Sequence, residues 1–547
     1  MAAPDRHPSA GVKNHERRAQ LSQTAGLTLV VLVAIYLLVN LLDFQYGRDQ
    51  GIYSAVANAI ASGGAPYTTA WDFKPPGIYL AFVAAKFLFG DGMDAIRWLE
   101  VCGLVLLAVG FIVLSRRVLG SAVAGSLAAL LAIVHYVELE FWHTAQPEAL
   151  GCVLLTWALV LAMPVTGAGT SRRRALASWL ASGALYGAAA LLKPPLGGGV
   201  VVSMAFVVWE QRKNRADTSS ATVAWPLWAF PLGALLPMLM VAVWLYAVGA
   251  LRQAWEALFV FAPHYTGALA VESLAQKCWI AGRKWLFDLS RYNPMGLVAL
   301  VPFARGVRRV RAASLHVLLV VLVLLAGVVL QGKFFTYHYA TALVLTSLPA
   351  GWGYWQLLER ARRSWVAAMA LVATIVLIAL PDAPVLATRA AFWSRSQARL
   401  QAWRQPEERQ ALRDRLYSAP DYDAAAIRAV ADWIQTNSSP GATIFVWGFE
   451  PFLYELADRQ PASRWIYNIP QRVAWSREVA RAELMHDLQE KRPEIIVVQE
   501  GDVMPWVTGN ALDSGAALGD FPELVSLLQS SYDVEGAIAT FLLMRRR

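Results

Sequence analysis

Charge is scarce in this sequence. Only 16% of its 547 residues are Asp, Glu, Lys or Arg, while 57% are apolar; an ordinary soluble domain carries about 25% charged residues. A water-soluble globular enzyme is excluded, and a polytopic membrane protein is expected. Cysteine is scarce too. Cys102, Cys152 and Cys278 are the only three, their spacing pairs none of them, and the first two fall inside apolar runs, so neither a disulfide framework nor a zinc site is suggested. No G-x-G-x-x-G opens a helix after a strand, and no Walker sequence occurs, which argues against an ATP-driven pump. Internal repeats and low-complexity tracts are also missing. The net charge of +9 would suit a nucleic-acid binder, but most Lys and Arg stand in short clusters between apolar runs. That distribution marks membrane topology, and nucleic acid is not an expected partner.

The apolar runs themselves supply the architecture. A span needs about 20 apolar residues, and runs near 24–42, 95–114, 119–136, 145–163, 176–192, 195–209, 225–248, 290–304, 314–331, 339–357 and 364–381 predict about eleven helices on that criterion. With the N-terminus inside, the inside connections carry Arg116 and Arg117; Arg172, Arg173 and Arg174; Arg212, Lys213 and Arg215; Arg305, Arg308, Arg309 and Arg311; and Arg360, Arg362 and Arg363. Every inside loop then has a basic cluster, as the positive-inside rule requires. Residues 1–23 have no short apolar core ending in a cleavage site and read as a cytoplasmic tail. An odd number of spans places everything after 381 outside.

The outside loops differ in kind. Segments 49–62 and 76–89 and parts of 252–287 have apolar residues at helical spacing, as helices lying in the membrane interface do. From 382 to 547 the composition becomes soluble. An amphipathic helix at 423–436 stands among the short β-rich runs 443–448, 494–499 and 541–544, which suggests a small α/β domain.

Ionisable residues gather on the outside: Arg48, Asp49, Asp72 and Lys74 in the first loop; Glu138, Glu140, His143 and Glu148 in the second; Lys193; His264 and Arg291; and Lys333, Tyr337 and His338. Ionisable groups beside spans are costly and point to function. Carboxylates come early and cations late. Transfer from a phospho-sugar needs both, a base for the acceptor hydroxyl and positive charge for a phosphate leaving group. Asp49 also suits the start of the helix that follows it, and the two roles are compatible.

These residues carry a resemblance. Asp49-Gln50-Gly51-Ile52-Tyr53 resembles the acidic motif after the first span in membrane glycosyltransferases of the GT-C fold, in the branch of protein O-mannosyltransferases, lipid A aminoarabinose transferases and bacterial glycosyltransferase family 39 relatives. Asp72-Phe73-Lys74-Pro75-Pro76 is similar to that branch's D-x-K-P-P element, Glu148 sits where a second-loop acid is found, and Lys193-Pro194-Pro195 resembles its K-P element. Lys333 to Tyr339 is similar to its aromatic and histidine segment before a late span. The ordered set covers residues 20–360.

The resemblance implies a GT-C-like transmembrane domain over 24–381, N-in and C-out, and a periplasmic α/β domain over 382–547, in the inner membrane of a bacterium. It implies an inverting transferase that moves a sugar from a polyprenyl-phosphate-linked donor to a hydroxyl of a lipid, glycan or protein acceptor in the cell envelope, working as a monomer. Asp49 would be the general base, with Glu148 as a second catalytic acid. Arg48, Tyr53, Asp72, Lys74, Lys193, His264, Lys333, Tyr337 and His338 would bind lipid phosphate and sugar. Where many relatives have Asp-Glu this chain has Asp49-Gln50, and a divalent cation, if used, would fall to Asp49 and Glu148. A lipid-linked-sugar flippase or secondary transporter would place such residues at midplane in repeated halves, and an O-antigen ligase would carry a large loop between late spans. Both remain as alternatives.

Overall fold

The computed structural model describes residues 10–163, 171–217, 226–267, 273–285, 293–379, 392–419 and 421–547. Arg291 and the domain boundary expected at 381 lie outside them. Four described helices, Asp94–Leu119, Arg172–Leu192, Ala229–Ala247 and Arg308–Gln331, are long and apolar enough to cross a membrane. Shorter apolar helices, including Gly26–Leu42, Ala122–Val137 and Pro147–Ala162, accompany them. Leu232, Leu235, Leu239 and Val243 stand exposed along one of the long helices, a patch that water alone would not tolerate.

Two expected runs are reshaped by proline. The run 195–209 starts as the 3₁₀ turn Pro194–Gly198 before helix Gly199–Asp217, and the run 290–304 is split into Asn293–Val298 and Val301–Arg305, with Pro302 in the first turn of the second piece. Proline is tolerated in a first turn because its missing N–H would have no helical partner there. At the other end of the chain, the first helix begins at Ala10, inside the stretch expected as a tail.

Helix packing depends on small residues. A Cβ on Gly183 would lie 2.1 Å from the Phe230 carbonyl, and one on Gly233 the same distance from that of Leu180, so helices Arg172–Leu192 and Ala229–Ala247 touch backbone to backbone. Gly77 does the same for the loop before it. Its Cβ would meet the Leu191 backbone at 2.5 Å, which seats the Lys74 loop against the helix end that leads into Lys193.

One ion pair fixes the two acid-bearing loops. Arg97 and Glu100, on the first turns of Asp94–Leu119, are buried and 2.7 Å apart. Arg97 also donates to the Phe44 and Gln45 carbonyls at 3.0 and 2.8 Å and to Thr144 Oγ1 at 3.0 Å. Glu100 Oε1 accepts from the Ala145 N–H at 2.5 Å and from the Tyr136 hydroxyl. A buried pair is favourable only when its remaining donors and acceptors are satisfied, and here they are spent on the first and second loops.

The C-terminal part is a five-stranded sheet in the order β2-β1-β3-β5-β4, with β1 Thr443–Trp447, β2 Gln460–Pro461, β3 Ile495–Gln499, β4 Tyr532–Ile538 and β5 Phe541–Arg546. β2, β1 and β3 are parallel, while β5 and β4 run antiparallel. β1, β3 and β5 coincide with the expected β-rich runs. Strand β4 was not anticipated, because on an edge its side chains are mostly exposed and its sequence carries little apolar content.

This sheet is docked on the first loop by buried charge. Arg48 donates to Glu450 Oε1 at 2.6 and 2.9 Å and pairs with Asp421 at 3.1 Å. Burial pushes the Glu450 carboxyl up from 4.5 to about 7, although Arg48 opposes the shift. The folded protein therefore holds a proton that the unfolded chain releases near pH 4.5, so this group's contribution to stability declines between about pH 4.5 and 7 and is level above. Arg48→Met removes the opposing cation. We expect it to cost about 3–5 kcal/mol at pH 8 and clearly less at pH 6, where Glu450 can be neutral. Thermal unfolding in detergent at both pH values measures this, and a loss independent of pH would contradict it.

Candidate functional site

The first loop supplies Asp49 from the opening turn of helix Arg48–Ala61, where its negative charge favours the helix N-terminus. Gly47, not Asp49, occupies the N-cap, and Gln50 Oε1 accepts from its N–H at 3.0 Å. The Gln50 amide then donates to the Phe141 and Thr144 carbonyls at 3.1 and 2.6 Å. A glutamate in its place could not donate, so at this position the departure from Asp-Glu has become a tie between the two loops. Asp49 is half-buried, and its Oδ2 accepts from Gln146 Nε2 at 3.1 Å. Tyr53 lies behind, donating its hydroxyl to Gln146 Oε1 at 2.9 Å.

A cavity of about 760 Å³ opens beside these residues. Its walls are mainly apolar, from Met238, Val241 and Leu245 on one helix to Trp255, Leu258 and Phe259 on the next, and its charged lining consists of Lys74, Lys193, Lys277 and Lys333. Tyr265, Tyr337 and His338 complete the polar end, with Phe335 beside them. Asp49 does not line this cavity, but its charge acts on Lys193, Tyr265 and Tyr337, which do.

The cations differ in their partners. Lys74 stands 5.0 Å from the Phe73 ring. Lys333 lies 4.1 Å from the Tyr265 ring and donates to the Trp506 carbonyl at 3.0 Å. Lys193 is bonded to Glu148 and sits 5.7 Å from the Tyr337 ring. Burial lowers both Lys193 and Lys333 to about 8; Glu148 opposes this for Lys193, and Lys74 adds to it for Lys333. His338 Nε2 is 3.8 Å from the same Glu148 oxygen, and burial followed by the charge of Lys193 drives its pKa well below the usual range, so it is neutral.

Asp49, Tyr53, Lys74, Glu148, Lys193, Lys333, Tyr337 and His338 are thus brought near one another. Three candidates are not. Arg48 is consumed by Glu450 and Asp421. Asp72 is buried, accepting from Tyr79 at 2.8 Å and Tyr467 at 2.7 Å; burial raises its pKa, and its contribution is to anchor the loop that presents Lys74. His264 is exposed, its ring against Trp475 and its Nδ1 on the Val260 carbonyl, because the helical turn Ala262–Gly267 directs Pro263 and Tyr265 inward instead.

Glu148 serves Lys193 in this arrangement and has its backbone carbonyl bonded by Thr341. Two residues escaped the sequence reading. Lys277 lies on an amphipathic helix, Leu274–Arg283, that was expected to be interfacial only. Gln146 precedes Pro147 in the same stretch that supplied Glu148, and its only signal was a polar side chain next to a helix start.

The donor set does not fit a divalent cation at Asp49 and Glu148. One carboxylate is bonded by an ammonium and the other by an amide N–H, and among the described residues no group of three His, Cys, Asp or Glu converges.

No protein-family model matches the sequence, and no curated protein matches it. Solved structures do resemble it. ArnT from Cupriavidus metallidurans in the apo state aligns with a TM-score of 0.56 at 16% identity over 96% of this chain and 98% of that one. The same protein bound to undecaprenyl phosphate gives 0.55 at 16% identity over 95% and 98%. The Archaeoglobus fulgidus oligosaccharyltransferase in complex with Zn and sulfate gives 0.50 at 12% identity, over 89% of this chain and 70% of that one. The helical part, its surface loops and the C-terminal sheet together therefore have the GT-C fold of membrane glycosyltransferases.

Proposed function

We propose that this chain is an inverting glycosyltransferase that moves a sugar from a polyprenyl-phosphate-linked donor to a hydroxyl acceptor at the periplasmic face of a bacterial inner membrane. The observation that carries the reading is the cavity of about 760 Å³ whose charged lining, among the described residues, is lysine and whose walls are mainly apolar. That combination suits an amphiphile with an isoprenoid tail and a phosphate head. Its support from outside the chain is the GT-C likeness to a structure bound to undecaprenyl phosphate. About eleven spans, N-in and C-out, with the sheet on the periplasmic side, complete the reading. The convergence of Asp49, Lys74, Lys193 and Lys333 at one end of the helices favours an enzyme over a transporter, whose charges would lie at midplane.

In this mechanism the acceptor O–H bond breaks as its proton passes to Asp49, and the oxygen bonds to the anomeric carbon from the face opposite the phosphate. The bond from that carbon to the phosphate oxygen breaks, and the electron pair leaves on the polyprenyl phosphate. Lys74, Lys193 and Lys333 stabilise the growing charge on the leaving group. Buried tyrosines and apolar walls keep water from competing for the anomeric carbon.

Asp49→Asn should reduce transfer by about 10²–10⁴-fold while leaving undecaprenyl phosphate binding nearly unchanged. Unaltered turnover with a lipid-phosphate sugar would remove the base assignment. Lys74→Met should do the converse, weakening undecaprenyl phosphate binding by about 10–100-fold, as loss of a hydrogen bond to a charged group implies.

The pH dependence has a defined sign. Lys193 and Lys333, both near 8, are charged below that pH and lose charge above it, so donor affinity should be full near pH 7 and fall as the pH rises past 8. Arginine stays protonated, so Lys333→Arg should flatten part of that fall. Equal binding at pH 7 and 9.5 would argue against phosphate capture by these lysines.

A further inference from the structure

Ala145 holds a left-handed backbone, φ +52°, in a buried turn. A non-glycine residue there is strained and persists only where its surroundings over-determine it. They do so here. The Ala145 N–H is bonded to Glu100, Thr144 Oγ1 is bonded to Arg97, and the Thr144 carbonyl is bonded to Gln50. The product of this strained turn is the placement of the next side chain. Gln146, buried and in extended conformation at the N-cap of Pro147–Ala162, does not cap that helix with its side chain. It faces Asp49 instead.

We propose that Gln146 is a positioning residue that orients the Asp49 carboxylate for proton abstraction. This rests on the reading of Asp49 as the general base. The amide can point only one way. Its Nε2 donates to Asp49 Oδ2 at 3.1 Å and its Oε1 accepts the Tyr53 hydroxyl at 2.9 Å; a flipped amide would set its carbonyl oxygen against the carboxylate, an acceptor that cannot donate in return. The Tyr53 hydroxyl polarises the carbonyl, which strengthens the N–H as a donor. Oδ2 is thereby held, and Oδ1 is left to accept the proton of the acceptor hydroxyl. A base must stand within about 2.6–3.2 Å of the proton it takes, and a carboxylate free to rotate would meet that geometry only part of the time.

The test uses the full-length protein in detergent with undecaprenyl-phosphate-linked glucose, mannose or arabinose, whichever is consumed, and undecaprenyl phosphate as the binding probe. Gln146→Leu should lower kcat by about 10–100-fold, the scale of a small misplacement of a reacting group, with donor KM and undecaprenyl phosphate Kd held within about 2-fold. Tyr53→Phe, which leaves the amide in place, should lower kcat in the same direction by a smaller factor. In an Asp49→Asn background, Gln146→Leu should cost nothing further, because a residue that acts through another has no effect once that one is gone.

Full activity of Gln146→Leu alongside an inactive Asp49→Asn would overturn the inference and leave the base assignment standing. An undiminished loss in the Asp49→Asn background, or a loss shared equally by binding and turnover, would make Gln146 a structural residue only. If Asp49→Asn is as active as the wild type, or no donor is consumed, the base reading falls and this inference with it.

Discussion

The Arg97–Glu100 pair is the constraint from which the site follows. It sits on the first turns of an apolar helix, where an unsatisfied charge would be very costly, and it meets that cost by bonding two loops at once: Phe44 and Gln45 in one, Thr144 and Ala145 in the other. One of these loops leads into Asp49, and the other carries Gln146 and Glu148. Without the pair, each loop would be a separate connection between helices. With it they form one rigid floor, to which Gln50 adds a second tie.

Opposite this floor the lysines are brought in by close packing. Gly77 against Leu191 joins the Lys74 loop to the end of helix Arg172–Leu192, and the proline turn that follows stops the chain so that Lys193 faces Tyr337. Glu148 then answers Lys193 from the acid side. The division of charge is uneven: one acid is bonded to one lysine, and the other lysines face apolar walls and aromatic rings. Such a cavity draws an anion and repels a cation, and the apolar walls restrict which anion can fill it.

Hydropathy alternation and ordered loop motifs made the GT-C fold readable, since both depend on residues close together in sequence. Asp49, Lys74, Lys193 and the Lys333–His338 segment stood out for the same reason, and the structure places them near one another. Arg48 and Asp72 read from sequence as ligand-binding because they look like their neighbours in the loop, Asp72 also as the residue that positions Lys74. Their partners, Glu450 and Tyr467, lie hundreds of residues away, and only the docked sheet distinguishes a latch from a ligand contact. His264 was misread for a local reason, a matter of which face of a short helix turns inward. Gln146 was missed because an amide carries no charge to notice; its importance comes from a strained turn that no propensity would predict.

The direction of the sheet explains why those distant partners arrive where they do. β1, β2 and β3 are parallel, so their carboxyl ends open on one side, and in such sheets the loops beyond the carboxyl ends are where ligands and functional contacts gather. Glu450 follows β1, Tyr467 follows β2 and Trp506 follows β3, and these meet Arg48, Asp72 and Lys333 respectively. Each contact reaches a different member of the membrane-proximal set. The loop holding Asp49, the loop holding Lys74 and the late cation are all fastened to one edge, so a change in how the sheet sits would move all three together. The three loops beyond the parallel strands therefore hold the Asp49 loop, the Asp72–Lys74 loop and Lys333 at a set spacing, one that the helices, joined by separate loops, could not fix by themselves.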